Sequence, residues 1–241
     1  MIKTKNSSIL YLLFILCLIS SNAQAKGDMG LSLGVKLLGT NWQGNNELSD
    51  TTFSTTDGGQ FGINLAFQKS RFYTGVSFQG GDYTFEDDAP AQVTSTATTP
   101  SSNVIISRDE LDLLAGYFFW EHISLFIDLK SISNRWSNND YLQTFYGIGF
   151  GASGYWPLNK SWSLYGSVGV VPIGQVTTDG NKIGDGNSGA LEFGGAYHFN
   201  TRNRITFGLK SQSQTYNYDS GDKTESRLNG VFVGFNHIFP F

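Results

Sequence analysis

The chain has 241 residues, a formal net charge of −4, 15% charged residues, 15% aromatic residues and 29 glycines. Charged residues fall well below the roughly 25% of an average soluble domain, and the acidic balance argues against a nucleic-acid partner. Mean hydropathy is −0.19, and after residue 25 no apolar run approaches the ~20 residues of a spanning helix.

The first segment reads as a targeting signal. Lys3 and Lys5 precede an apolar run over residues 9–19, and Ala23–Gln24–Ala25 supplies a small-residue cleavage site. Residues 1–25 are therefore expected to be a signal peptide and residues 26–241 a single mature domain. Cleavage would remove both lysines, leaving 14 basic against 20 acidic residues, and also the only cysteine, Cys17. The mature chain then has no means to form a disulfide, a cysteine-ligated metal site or a cysteine nucleophile. Leu16 stands where a lipoprotein anchor at Cys17 would want a small residue.

From residue 29 onward, apolar residues alternate with small or polar ones. The first such segment carries Met29, Leu31, Leu33, Val35 and Leu37, interleaved with Gly30, Ser32, Gly34 and Lys36. The same period of two recurs over about 61–67, 72–78, 111–119, 123–129, 146–152, 162–170, 191–199, 205–209 and 231–241. That predicts ten strands. Their connections alternate longer and short: about 43–58, 86–103, 172–188 and 215–225 are long and about 134–140 is medium, whereas 69–71, 120–121, 157–160 and 200–203 are short. The stretch 86–103 is rich in Ala, Thr, Ser and Pro and is expected to be mobile.

An even set of alternating strands with alternately long and short connections predicts an all-β, closed, antiparallel transmembrane β-barrel. Short turns would lie at one end and long loops at the other. A soluble barrel with its apolar face inward would show the same alternation. The loop asymmetry and the aromatics at the short-turn ends, Phe72, Tyr117, Trp120, Trp156, Trp162 and Phe199 among them, favour the lipid-facing reading, since such rings sit at headgroup level. The last strand adds Val233, Phe235, Phe239 and the terminal Phe241 at every second or fourth position.

In these features the chain resembles the outer-membrane β-barrel superfamily, as a ten-stranded variant of the small OmpA-like and opacity-type barrels. The resemblance implies the outer membrane of a Gram-negative bacterium, with periplasmic turns and extracellular loops. It implies contact with the bilayer and lipopolysaccharide, no cofactor, and recognition by the outer-membrane assembly machinery through Phe235, Phe239 and Phe241. His237 and Pro240 depart from the usual terminal pattern.

Barrel enzymes of this kind resemble one another in placing catalytic acids and histidines at the outer rim. Here His122, His198 and His237 all fall at short-turn ends, so no such site can be built and a non-enzyme is expected. Asp82, Glu86, Asp87 and Asp88 read as a solvated acidic loop. Asp179 and Asp185 flank glycines in a manner superficially like a calcium loop, but with the wrong ligand spacing. No metal or cofactor site is expected.

The polar parity of the strands places Lys36, Arg108, Glu110, Asp112, Asp128, Lys130, Glu192, Arg204 and Lys210 inside the barrel. Near balance of sign favours an internal salt-bridge network over a selective pore. Hairpin register pairs His198 with Arg204 and Glu192 with Lys210, and separately Asp112 with Lys130, so salt bridges are expected at the last two pairs. Gly147, Gly149, Gly151, Gly194 and Gly208 are expected to leave space in the lumen. Two functions follow: a structural or surface-interaction barrel acting through acidic loops, whose ligand the sequence does not name, or a narrow passive channel for ions or small solutes.

Overall fold

A computed structural model of the chain describes residues 29–47, 50–94, 98–139 and 141–240. The expected signal peptide and Phe241 lie outside the described residues. The strands are β1 (Met29–Asn46), β2 (Thr51–Ser54), β3 (Asp57–Lys69), β4 (Phe72–Val93), β5 (Thr98–Phe118), β6 (Ile123–Trp136), β7 (Leu142–Pro157), β8 (Trp162–Thr178), β9 (Asn181–His198), β10 (Asn203–Tyr218) and β11 (Lys223–Pro240). Each long strand pairs antiparallel with its sequence neighbours, and β1 closes the barrel on β11 from Gly30↔Pro240 to Asn46↔Thr224. β2 is a short outer continuation of the β3 edge, pairing with the end of β1. The architecture is thus a closed ten-stranded barrel, as the alternation predicts.

A spanning strand needs about 9–11 residues, but these long strands run from 13 residues in β3 to 22 in β4. The excess all lies at one end. Near the short turns the apolar side chains point outward: Leu33, Val35 and Leu37 on β1, Leu125, Ile127 and Leu129 on β6, and Phe207 and Leu209 on β10 are all exposed. They form a band about four outward residues tall on each strand, close to the ~25 Å apolar height of such barrels. Phe72, Tyr117, Trp120, Trp156 and Trp162 edge it at the turn end.

Beyond the band the facing inverts. Trp42, Phe53, Tyr83, Phe85, Val104, Ile106, Trp136 and Leu228 are buried inside as one cluster, and Val93, Ile132, Phe145, Val171, Val176, Ile183, Tyr216 and Tyr218 as a second. Arg135 and Asp185, on the same strands, face outward. This half has the apolar-in, polar-out order that water on the outside dictates, whereas the outward apolar band has the order expected of a lipid-facing surface.

The long outer connections are therefore mostly ladder rather than loop. Asp179 and Gly180 alone join β8 to β9, with φ of 49° and 79°. Paired positive φ is what a two-residue hairpin turn requires, and Asp-Gly supplies it. The 86–103 stretch, expected to be mobile, is strand over 86–93 and 98–103, and its residues 89–93 bend inward as a cap. Ala89, Ala91 and Val93 are buried. The Asn46 side chain donates to the Ala89 carbonyl at 3.1 Å and accepts from the Ala91 amide at 3.1 Å. Trp136 Nε1 donates to the Pro90 carbonyl at 3.2 Å. These bonds satisfy backbone groups that an inward-folded segment would otherwise leave unpaired.

Candidate functional site in the barrel lumen

At the level of the apolar band the inward residues are charged, and the ties between them cross the lumen. Lys36 on β1 donates to both Glu192 oxygens on β9, at 2.8 and 2.9 Å, and its ammonium lies 4.4 Å from the Phe232 ring centroid. Lys210 on β10 reaches Gln79 on β4 at 2.9 Å and Glu110 on β5 at 3.5 Å. Lys130 pairs with Asp112. Arg108, 1% exposed, donates through Nε to Glu110 at 2.8 Å and through Nη1 to Asn134 and Gln214 at 3.3 Å each. Its guanidinium lies 5.0 Å from the Trp42 ring, so it joins the charged layer to the aromatic core above. Gln212, with its amide turned to donate, lies 3.2 Å from both Glu110 oxygens.

All nine charged residues are buried or half-buried, and the register is as the turn lengths predict: His198↔Arg204, Glu192↔Lys210 and Asp112↔Lys130 are directly opposed. The Asp112–Lys130 bridge forms. The expected Glu192–Lys210 bridge does not, because each side chain is long enough to reach across the lumen and take a partner on a distant strand. Asp128 takes part in none of the ion pairs among the described residues, and its Oδ1 is buried without a hydrogen bond.

The glycines do not leave an open path. A Cβ at Gly151 would meet Phe126 at 2.4 Å, one at Gly147 would meet Val171 at 2.5 Å, and one at Gly208 would meet Phe232 at 2.8 Å. Large inward side chains on neighbouring strands occupy the room that these glycines provide. Sequence reasoning missed Phe126, Val171 and Phe232 as lumen fillers, as well as the hairpin-end core. The signal for that core was present as a second alternation, Trp42, Tyr83, Phe85 and Ile106, out of phase with the lipid-facing one.

In that core, burial pushes the Tyr83 hydroxyl up to about 12, against the opposing pull of Arg108 and of the Thr40 hydroxyl bonded to it at 2.7 Å. Burial likewise raises Tyr216 and Tyr218. Tyr141 bridges to the cap through both the amide and the carbonyl of Val93.

Below the charged layer lies a cavity of about 1160 Å³ whose lining runs from Lys36, Gln79 and Glu192 down to the turn residues Arg71, Asn159 and Asn200. It ends blindly against the network and reaches the barrel surface at the turns. The three histidines sit at this end. His198 Nε2 lies 3.0 Å from Ser163 Oγ, His237 Nδ1 lies 2.7 Å from Asn203 Oδ1, and the His122 ring packs 4.7 Å from Tyr155. The acids singled out at the other end lie apart from them: Asp82 accepts from Ser107 at 2.6 Å, Glu86 and Asp87 are exposed, and Asp185 pairs with Lys182 at 2.9 Å. Asp179 forms the corner of a hairpin.

No protein-family model and no curated protein matches the chain. Among solved structures it resembles the outer membrane protease OmpT from Escherichia coli, with a TM-score of 0.57 and 10% identity, over 91% of this chain and 100% of that one. An outer membrane channel from Pseudomonas putida F1 overlays with a TM-score of 0.40 and 13% identity, over 91% of this chain and 98% of that one. The toluene transporter TodX from P. putida overlays with a TM-score of 0.29 and 10% identity, over 89% and 91%. The first match establishes a shared fold, a closed antiparallel barrel. The other two are too loose to bear on function.

Proposed function

We propose that this protein is a non-catalytic, non-conducting barrel of the Gram-negative outer membrane, with its turns in the periplasm and its tall hairpin end outside. The observation that carries this reading is the double closure of the lumen. Salt bridges between non-adjacent strands cross it at the level of the apolar band, and an aromatic core under the inward-folded residues 89–93 fills it above. A solute would have to break buried charge pairs and then part a packed core, each at a cost of several kcal/mol.

The alternative, a narrow passive channel, loses the glycine-lined space that supported it. A protease-like activity also lacks support, since the histidines and the exposed acids sit at opposite ends of the barrel. What remains for the hairpin end is a rigid polar surface, bearing Glu86, Asp87, Asp185 and Glu225, suited to contact with lipopolysaccharide and with an extracellular partner. We read Phe235 and Phe239, exposed on the closing strand β11, together with Phe241, as the assembly signal.

A liposome-swelling assay tests the reading. Proteoliposomes of the refolded protein should resist swelling in isosmotic arabinose as protein-free liposomes do. Swelling at a rate that scales with protein content would overturn the closed-barrel reading.

A further inference from the structure

Arg204 on β10 points into the turn-end cavity. It faces His198 across the β9 ladder and Asn236 across the β11 ladder. It takes part in none of the ion pairs among the described residues, and its Nε is buried without a hydrogen-bond partner. Of the nine inward charged residues, only Asp128 likewise lacks an ion-pair partner among the described residues. A largely desolvated guanidinium without a carboxylate is costly, and it presents a planar fork suited to an oxyanion.

The rest of the cavity has a consistent chemistry. The cations Arg71 and Lys160 stand at its mouth against the single acid Glu121, while Lys36 and Glu192 neutralise one another at its floor. Between mouth and floor the wall is hydroxyls and amides, with Asn64 and Asn236 both folded over Gly34: a Cβ there would meet each amide oxygen at 2.3 Å. Tyr165 adds an aromatic face. Hydroxyls and amides beside aromatic rings, Tyr165 within and Phe118, Trp120, Tyr155 and Trp162 also in the lining, suit a polyhydroxylated ligand, and about 1160 Å³ is of the size that encloses a small organic molecule.

We propose that the turn-end cavity binds a small anionic sugar, its phosphate or carboxylate held by Arg204 and its hydroxyls by the amide and hydroxyl wall. The site is a blind pocket entered from the turn side, so it does not depend on whether the barrel conducts.

Isothermal titration of the refolded protein in detergent tests this, with glucose 6-phosphate and glucuronate as probes and glucose and inorganic phosphate as controls. At least one acidic sugar should bind, the phosphate and uronate arms separating the two oxyanions, and glucose should bind at least about tenfold more weakly. R204Q should abolish that preference and R204K should restore part of it, because lysine keeps the charge but not the fork. N236L, which leaves the cation in place, should weaken the sugar acid while leaving inorganic phosphate unchanged. Cavity water alone, seen as no binding by either acidic sugar, would overturn the proposal. So would glucose binding as tightly as its phosphate, inorganic phosphate binding as tightly as the sugar phosphate, or an R204Q protein with wild-type heat-modifiable migration and unchanged affinity.

Discussion

Glu192 stands directly opposite Lys210 on the β9–β10 ladder, yet its carboxylate is held by Lys36, 2.8 Å away on β1. Neighbouring side chains on a ladder have Cβ atoms only ~5 Å apart, and both of these are long enough to bypass one another for partners across the lumen. In a double-mutant cycle, K36M and E192Q should therefore couple by about 0.5–3 kcal/mol, whereas E192Q and K210M should add to within about 0.5 kcal/mol. Urea unfolding in detergent micelles, followed by tryptophan fluorescence, measures both cycles. Stronger coupling for the second pair would restore the ladder bridge.

Arg108 and Glu110 are each 1% exposed and bonded to one another at 2.8 Å. Removing one partner leaves the other buried and uncompensated, so R108M or E110Q alone should cost about 3–5 kcal/mol, and the double variant less than the sum. The same unfolding measurement decides this.

The inversion of facing predicts opposite responses at two heights of β6. Leu125, which faces outward in the apolar band, should lose about 2–4 kcal/mol on replacement by Arg. Higher on the strand Ile132 is fully buried inside and Arg135 faces outward. I132A should cost about 2–5 kcal/mol, and R135A less than about 0.5 kcal/mol. Equal tolerance at residues 132 and 135 would contradict the hairpin-end core.

Tyr83 gives the core an alkaline limit. Its hydroxyl is raised in the folded state from 10.0 to about 12, so the unfolded chain loses that proton first. The contribution of Tyr83 is complete below pH 10 and is lost as pH climbs through about 12. Absorbance titration near 295 nm should show late-ionising tyrosines, one fewer in Y83F, with Tyr216 and Tyr218 remaining raised. The variant should also lose less stability than wild type between pH 10 and pH 12.

Within the apolar band the fold was legible in the sequence, because an apolar outer face and a polar lumen force every strand into strict alternation. The inward set Lys36, Arg108, Glu110, Asp112, Asp128, Lys130, Glu192 and Lys210 followed from parity, and the opposed pairs followed from turn length. Which charges meet across the lumen did not follow, since that depends on how strands several places apart are tilted toward one another. The hairpin end was misread as loop because its outward residues, Ser211, Ser213, Asn187 and Asn217 among them, are turn-formers by composition. Asp179–Gly180 carried a hairpin signal strong enough to place β8 against β9, but it was obscured by the neighbouring glycines and by Asp185. Arg204 was placed inside correctly, while its lack of an acidic partner emerges only when every ion pair is assembled.

The closure of the lumen is tested most directly by conductance of the refolded protein in a planar lipid bilayer. With Lys36–Glu192 and Arg108–Glu110–Lys210 intact beneath the aromatic core, insertion should leave the membrane at baseline with no discrete openings. Reproducible unitary current steps from the wild-type protein would contradict a lumen sealed by these contacts.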